Sequence, residues 1–543
     1  MHPLDLIQKS CAAYPNTTAL RALDATGVAY TYSQLHHRID TIAAQLIRDG
    51  VRPGSRIALS AENHPNWGAS YFGILAAGAT VVPFDGNLPP NEVQFILTDS
   101  SACAWFGSET VFQRFSNIAN EFLGIKYSIH DTFSSEYSAS HLRSIPMAEV
   151  ASLIYTSGTT GVAKGVMLSG ESLATNALGA GKRYRIDNTD RVLSVLPLYH
   201  TFECTCGFIF PLSVGASVAY ARSLKPNELV QDAQLIRPTL FIAVPLLLEK
   251  IRNGVFRKAR EASPLKRMLF ETILKASYAT TKLPGSGLGV SLLRSVRARM
   301  GFDQIRFLVS GGAALPHSVN RDLCALGFPL IQGYGLTECG PLVSANSLVL
   351  NRAGSVGQVF EFNNVKIDNP DADGVGMLLV RGPNVMKGYW NNPTATADAF
   401  TPDGWLRTGD LASIDADGYL SIVGRRKDVI VTAGGKNVYP ETLEQAILED
   451  NRVLECVVVG RSRRTGNGEE IGAILVLNPD WLATESADGR EYDDNGLQRI
   501  AVDIVAAVNE GQPDYRKITR IEVSKDELEK TSTRKIRRFK YRQ

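Results

Sequence analysis

Residues 155–165, reading YTSGTTGVAKG, constrain this chain more than any other stretch. The short apolar run at 151–155 reads as a buried strand, and it empties into a loop of small hydroxyl residues and glycines closed by Lys164. Gly158, Gly161 and Gly165 allow tight turning and present backbone N–H groups to an anion. Thr156, Ser157, Thr159 and Thr160 add hydroxyl donors, and Lys164 adds a point charge. A phosphate cradle at a strand exit implies a layered α/β sheet. The loop is not of the G-x-x-x-x-G-K-[ST] kind, because Lys164 follows Gly161 by three residues and precedes Gly165.

The rest of the chain supports the α/β reading. Residues 31–49 carry a helical apolar stripe (Leu35, Ile39, Ile42, Ala43, Leu46, Ile47) opened by a Thr31/Gln34 capping box and closed by Gly50. Strand-like 56–60, helical 66–77 and apolar 80–84 follow in alternation. At 543 residues the chain exceeds a single core, so several domains are expected. A net charge of +2 argues against a nucleic-acid partner. MHPLDLIQKS has neither the basic start nor the apolar core of a signal peptide, so the cytoplasm is the expected compartment. The most apolar stretch, 192–221, is interrupted by His200, Glu203 and two prolines and reads as buried strand and pocket wall. Seven scattered cysteines fit reduced thiols, the Cys204/Cys206 pair included.

Three further strand-exit motifs carry chemistry. His200 follows the apolar run 192–196 in PLYHTFE, and Gly207–Phe210 with Val244 and Pro245 read as core or as a tunnel lining. Gly311, Gly312, Ala313 and Ala314 follow 307–310 and strip the backbone of bulk, so a flat ring can approach. After Leu330 and Ile331 comes QGYGLTE. There Gly333 and Gly335 flank Tyr334, an aromatic face; Thr337 is a hydroxyl donor, and Glu338 a hard oxygen ligand suited to Mg²⁺ between phosphates. Between 250 and 299, twelve basic residues stand against Glu261 and Glu271, a surface that attracts lipid head groups, an acidic carrier protein or the phosphates of a cofactor.

In their order along the chain these motifs resemble those of the adenylate-forming superfamily, which includes acyl-CoA synthetases, nonribosomal adenylation domains and firefly luciferase. The resemblance covers almost the whole chain and is strongest to bacterial long-chain fatty acyl-CoA synthetases. It implies a large domain of layered α/β subdomains (1–424) and a small mobile α+β domain (425–543), hinged near Lys427. It further implies that Thr156, Ser157, Gly158, Thr159, Thr160 and Lys164 hold phosphates. Gly312–Ala314 and Gly333–Gly335 would take the adenine, and Asp410 of WLRTGD, with Arg425, the ribose. His200 and Thr337 would act in the carboxylate and phosphate pockets, and Glu338 would bind Mg²⁺. Gly434, Gly435 and Lys436 would line the thiol's tunnel, and Lys535 would sit between carboxylate and α-phosphate.

The implied reaction joins a carboxylic acid, expected to be a medium- or long-chain fatty acid, to coenzyme A through an acyl adenylate made from ATP, giving acyl-CoA, AMP and pyrophosphate. Alternatives are loading of an acyl carrier protein, activation of an aryl or amino acid with Glu203 as countercharge, a non-catalytic nucleotide binder, and a luciferase-like oxygenase. Peripheral membrane contact is a further expectation. Two positions depart from the family pattern: Arg534 stands where glycine is usual, and Gly170 where histidine is common.

Overall fold

A computed structural model describes residues 1–134, 142, 144–156, 163–462, 469–487, 491–530 and 536–542, without the side chains of Asp480, Thr484 and Ala487. Two large sheets dominate. One has six strands in the order Ile125–Ser128, Ala104–Gly107, Arg56–Ser60, Thr80–Pro83, Ser152–Thr156 and Lys164–Leu168. Its first five strands are parallel and the last pairs antiparallel. The other has nine strands, of which six in a row are parallel: Thr18–Ala22, Ser217–Tyr220, Arg191–Ser194, Leu240–Ala243, Phe307–Ser310 and Leu330–Gly335. Strands buried on both faces read as continuous apolar runs, which is why 80–83 and 240–243 lack alternation.

The helix Pro65–Ala76 is buried along its whole length and contacts strands of both sheets. Close packing there depends on glycine: a Cβ at Gly73 would come within 2.5 Å of Ile42 in the neighbouring helix Tyr32–Arg48. That neighbour begins as expected, with the Thr31/Gln34 capping box formed in both directions. The apolar stretch after His200 becomes a π-helix, Glu203–Ile209, wholly buried, with Phe208 packed among Trp67, Tyr71 and Phe72.

A four-stranded antiparallel sheet, Asn364–Asp368, Gly376–Arg381, Leu406–Ile414 and Leu420–Arg425, follows. Two glycine-bearing motifs lie in strands: Tyr334, expected in a strand-exit loop, falls within Leu330–Gly335, and Asp410 falls in the middle of Leu406–Ile414. Both sequences are glycine-rich, but ladder pairing to Ser344 and to Arg425 overrides that local preference. From Ile430 on, a separate apolar cluster forms around the antiparallel pair Val453–Ser462 and Glu469–Leu477, with Arg520–Ser524 added in parallel and helices Pro440–Leu448 and Asp494–Glu510 packed nearby. Among the described residues no helix is long and apolar enough to cross a membrane.

Candidate active site

The two ends of the glycine-rich loop are held side by side, because Thr156 closes one strand, Lys164 opens the next, and the two residues are register partners. Ser157, Gly158, Thr159 and Thr160 lie outside the described residues. The free side of the Lys164 strand is covered by residues 388–390: Met167 N–H donates to the Gly388 carbonyl (3.0 Å) and Trp390 N–H to the Gly165 carbonyl (2.7 Å). Gly165 suits this closeness, since a Cβ would press on Leu153, Tyr155 and Trp390 at 3.0–3.3 Å.

That pairing brings Tyr389 into the site. The Lys164 ammonium lies 5.1 Å from the centroid of the Tyr389 ring, and the Tyr389 hydroxyl donates to Glu338 Oε1 at 2.9 Å. Burial, and then the neighbouring Glu338 carboxylate, push the Tyr389 hydroxyl pKa upward, so it stays a donor. One tyrosine thus joins Lys164 to the Glu338 carboxylate.

Glu338 sits in the single turn Thr337–Cys339 immediately after the strand that carries Tyr334. Two buried asparagines fix this turn. Asn176 and Asn384 each donate to the Cys339 carbonyl (3.0 and 2.9 Å), and Asn176 Oδ1 accepts from Leu342 N–H (2.8 Å). Thr205, on the π-helix, donates to the Gly340 carbonyl (3.0 Å), and Met386 N–H to that of Glu338 (2.7 Å). Buried amides that satisfy backbone carbonyls in this way make a turn rigid.

Tyr334, Asp410 and Arg425 form a second cluster beside the first. The Tyr334 hydroxyl donates to Asp410 Oδ2 (2.5 Å), and Arg425 Nε lies 3.0 Å from Asp410 Oδ1. Each carboxylate oxygen keeps a second lone pair for another donor. Asp410 raises the pKa of Arg425, and Glu338 adds to the same shift, which links the two clusters electrostatically. Gly333 pairs with Ala345, and Gly335 is obligatory, because a Cβ there would overlap the Pro341 carbonyl at 1.9 Å.

The Gly311–Ala314 segment meets this region at the end of the strand Phe307–Ser310. Gly312, at φ +83°, and Ala313 and Ala314 are exposed, forming a bare shelf, while a Cβ on Gly311 would clash with Phe202 at 2.8 Å. The His200 loop therefore packs against the shelf. Its backbone is clasped by Asn63, whose side chain donates to the Leu196 carbonyl (2.6 Å) and accepts from Leu198 N–H (3.0 Å); the His200 ring lies 4.4 Å from that of Tyr199. Glu203 turns inward. It is fully buried, accepts from Ser194 Oγ (2.6 Å), and burial pushes its pKa up to about 8. A carboxyl that is mostly protonated at neutral pH is a poor countercharge for an ammonium group.

Lys427 lies in the turn Arg426–Asp428, and burial lowers the pKa of its ammonium. Arg542 donates to the Lys427 carbonyl (2.8 Å) and to Asp428 (2.9 Å). Gly434, Gly435 and Lys436 form the exposed tip of the hairpin joining Ile430–Val431 to Asn437–Val438, with Gly435 at φ +70°. Lys535 and Arg534 lie outside the described residues; on either side of them, Lys530 and Ile536 form an antiparallel bridge.

Sequence reasoning missed Tyr389, Asn176, Asn384 and Asn63. Glycine followed by two aromatics in MKGYW was a signal for Tyr389. The asparagines had none, because their partners are backbone carbonyls and amides far away in the chain.

Residues 7–390 match the AMP-binding enzyme family and residues 427–543 the AMP-binding enzyme C-terminal domain. The chain is 30% identical to the long-chain-fatty-acid–CoA ligase FadD15 of Mycobacterium tuberculosis, over 85% of this chain and 79% of that protein. It is also 30% identical to the probable acyl-activating enzyme 16, chloroplastic, of Arabidopsis thaliana (85% and 74% covered), and 29% identical to feruloyl-CoA synthase of an Amycolatopsis species (89% and 88%). Its fold is similar to that of ATP-bound MatB from Rhodopseudomonas palustris, with a TM-score of 0.77 at 23% identity, covering 100% of this chain and 98% of that one. The chain belongs to the AMP-binding enzyme family, among the adenylate-forming acid–thiol ligases.

Proposed function

We propose that this enzyme activates a medium- or long-chain fatty acid with ATP and transfers the acyl group to coenzyme A. The observation that carries the reading is the continuous Lys164–Tyr389–Glu338 contact beside the Tyr334–Asp410–Arg425 cluster. In the first step a carboxylate oxygen attacks the α-phosphorus of ATP, forming an acyl–phosphate bond as pyrophosphate leaves. In the second a thiolate attacks the acyl carbon, forming the thioester as AMP leaves. Neither step uses a protein nucleophile, so positioning and charge stabilisation supply the catalysis.

On this reading Lys164 and the loop 156–160 take the phosphates, Asp410 and Arg425 the ribose, and the shelf 312–314 with Tyr334 the adenine. Thr337 contacts phosphate, and His200 borders the carboxylate. Glu338 would hold Mg²⁺: Tyr389 occupies only its Oε1, and no cluster of three metal-ligating side chains exists among the described residues, which suits an ion held by one carboxylate plus phosphate oxygens. That ion, when bound, neutralises phosphate charge. Lys535 neutralises charge as carboxylate approaches phosphate. The large unit 1–424 and the small unit 425–543 pivot at Lys427, so that Lys535 serves the first step and the Gly434–Lys436 turn the second.

Similarity to FadD15 favours a fatty acid and coenzyme A. A second reading, with an acyl carrier protein as acceptor, draws on 28% identity to the long-chain-fatty-acid–[acyl-carrier-protein] ligase AEE15 of Arabidopsis thaliana. Acid-dependent pyrophosphate release, measured across a fatty-acid chain-length series and several aryl acids, with and without coenzyme A, decides between them. Turnover requiring both a long-chain acid and coenzyme A is expected. A single equivalent of pyrophosphate, unaffected by coenzyme A, would move the acceptor to a carrier protein.

A further inference from the structure

The hairpin of helices Pro245–Arg260 and Pro264–Thr280 carries a surface that this chemistry does not use. Residues 250–299 contain twelve Lys and Arg against two acidic side chains, in a chain with 57 basic and 55 acidic residues overall, so the remainder is net negative. Two of the twelve are structural. Arg297 is buried and donates to the Gly289 and Leu326 carbonyls, and Arg252 lies 3.5 Å from Asp322. The other ten are exposed.

Five of those ten crowd the tip: Arg257, Lys258 and Arg260 end the first helix, and Lys266 and Arg267 begin the second. Among them stand Leu265, Met268 and Leu269, which are 72%, 61% and 57% exposed. Their i, i+3, i+4 spacing puts these three apolar side chains on one helix face. The opposite face holds the helix to the body through buried Leu274 and Ser277, with Ser277 Oγ donating to the Ala325 carbonyl (2.6 Å).

Single exposed apolar residues are ordinary, but three neighbours ringed by cations are not. Every residue from 264 to 269 is exposed, so the tip offers no groove to receive a structural element of a protein partner. A fluid interface needs none: apolar side chains enter the acyl boundary while the long basic side chains remain among phosphates. We propose that this hairpin tip docks the protein peripherally on an anionic lipid surface, with Leu265, Met268 and Leu269 inserting and the surrounding cations pairing with lipid phosphates. The proposal stands whichever acid the enzyme activates.

Flotation of the full-length protein with phosphatidylcholine vesicles, with and without phosphatidylglycerol, tests it. The wild type should float with the anionic vesicles and be released by salt. Leu265→Ser/Met268→Ser/Leu269→Ser and Lys258→Glu/Lys266→Glu/Arg267→Glu should each lower the bound fraction by roughly tenfold or more. Both variants should keep the wild-type melting temperature and turnover of a water-soluble acid. Flotation of either variant at the wild-type level overturns the proposal, as does a wild type that ignores anionic vesicles. Binding of an acidic acyl carrier protein through these residues, without vesicle binding, would reassign the tip to a protein partner.

Discussion

Two arginine–carboxylate clusters, one in the candidate site and one beside the turn Arg426–Asp428, use the same residue types to opposite ends. In the first, a single carboxylate, Asp410, receives one arginine and one tyrosine hydroxyl. In the second, a single arginine, Arg538, is surrounded by Glu444 (2.6 Å), Glu441 (3.5 Å) and Asp428 (3.7 Å). Where donors outnumber carboxylates, the acid's two oxygens are each oriented by a partner and keep lone pairs for further hydrogen bonds. In the second cluster burial drives Glu441 up to about 7, with Glu444 and Asp428 adding repulsion against the opposing pull of Arg538. The first arrangement leaves acceptor capacity free, and the second ties the C-terminal segment to the turn Arg426–Asp428 and the helix Pro440–Leu448.

The comparison breaks most sharply at its charged centres. Asp410→Ala leaves Tyr334 and Arg425 without their acceptor, and ATP–pyrophosphate exchange should fall by about a hundredfold or more. Lys535→Ala should cost adenylation a comparable factor with the melting temperature unchanged, and near-normal exchange by that variant would remove Lys535 from the site. On the other side, Arg538→Met leaves Glu441 and Glu444 without their arginine, while Asp428 keeps Arg542, and should destabilise the small unit by about 3 kcal/mol in urea unfolding.

Smaller effects sharpen the contrast. Tyr389→Phe keeps the ring beneath Lys164 but loses the bond to Glu338, so the Mg²⁺ concentration for half-maximal rate should rise about tenfold. Tyr389→Leu should additionally raise KM for ATP several-fold by removing the ring. The smallest effect is pH-dependent. The folded pKa of Glu441 lies above its unfolded value, so the folded state binds the extra proton and stability declines as pH rises from about 4.5 through about 7. Glu441→Gln should leave the melting temperature near wild type at the acidic end and raise it by a few degrees above neutrality; an unchanged pH profile would contradict the balance argued for the Arg538 cluster.

Much of the site was legible because its residues stand in short, contiguous motifs. Lys164, Tyr334, Glu338 and Asp410 each belong to a run whose composition is chemically peculiar, and the structure groups Lys164 with Glu338 and Tyr334 with Asp410 and Arg425. Strand boundaries were less legible. Glycine-rich GYG and TGD look like loops until a partner strand supplies the missing hydrogen bonds. Glu203 illustrates the opposite limit: nothing in HTFECTC states that its carboxylate faces Ser194 in a dry interior.

The sequence by itself determined the alternation of helix and strand, the capped start of the helix Tyr32–Arg48, the glycine- and hydroxyl-rich composition of the loop before Lys164 and the excess of charge at 250–299. These are local properties, written in periodicity, backbone permissiveness and composition. Only the tertiary structure decided that Tyr389 joins Lys164 to Glu338, that distant asparagines hold the Glu338 turn, and that Glu203 and Glu441 sit in surroundings that favour their protonated forms. Hydrogen-bond partners and desolvation depend on which atoms the fold brings within about 3 Å, and that depends on the packing of the whole chain.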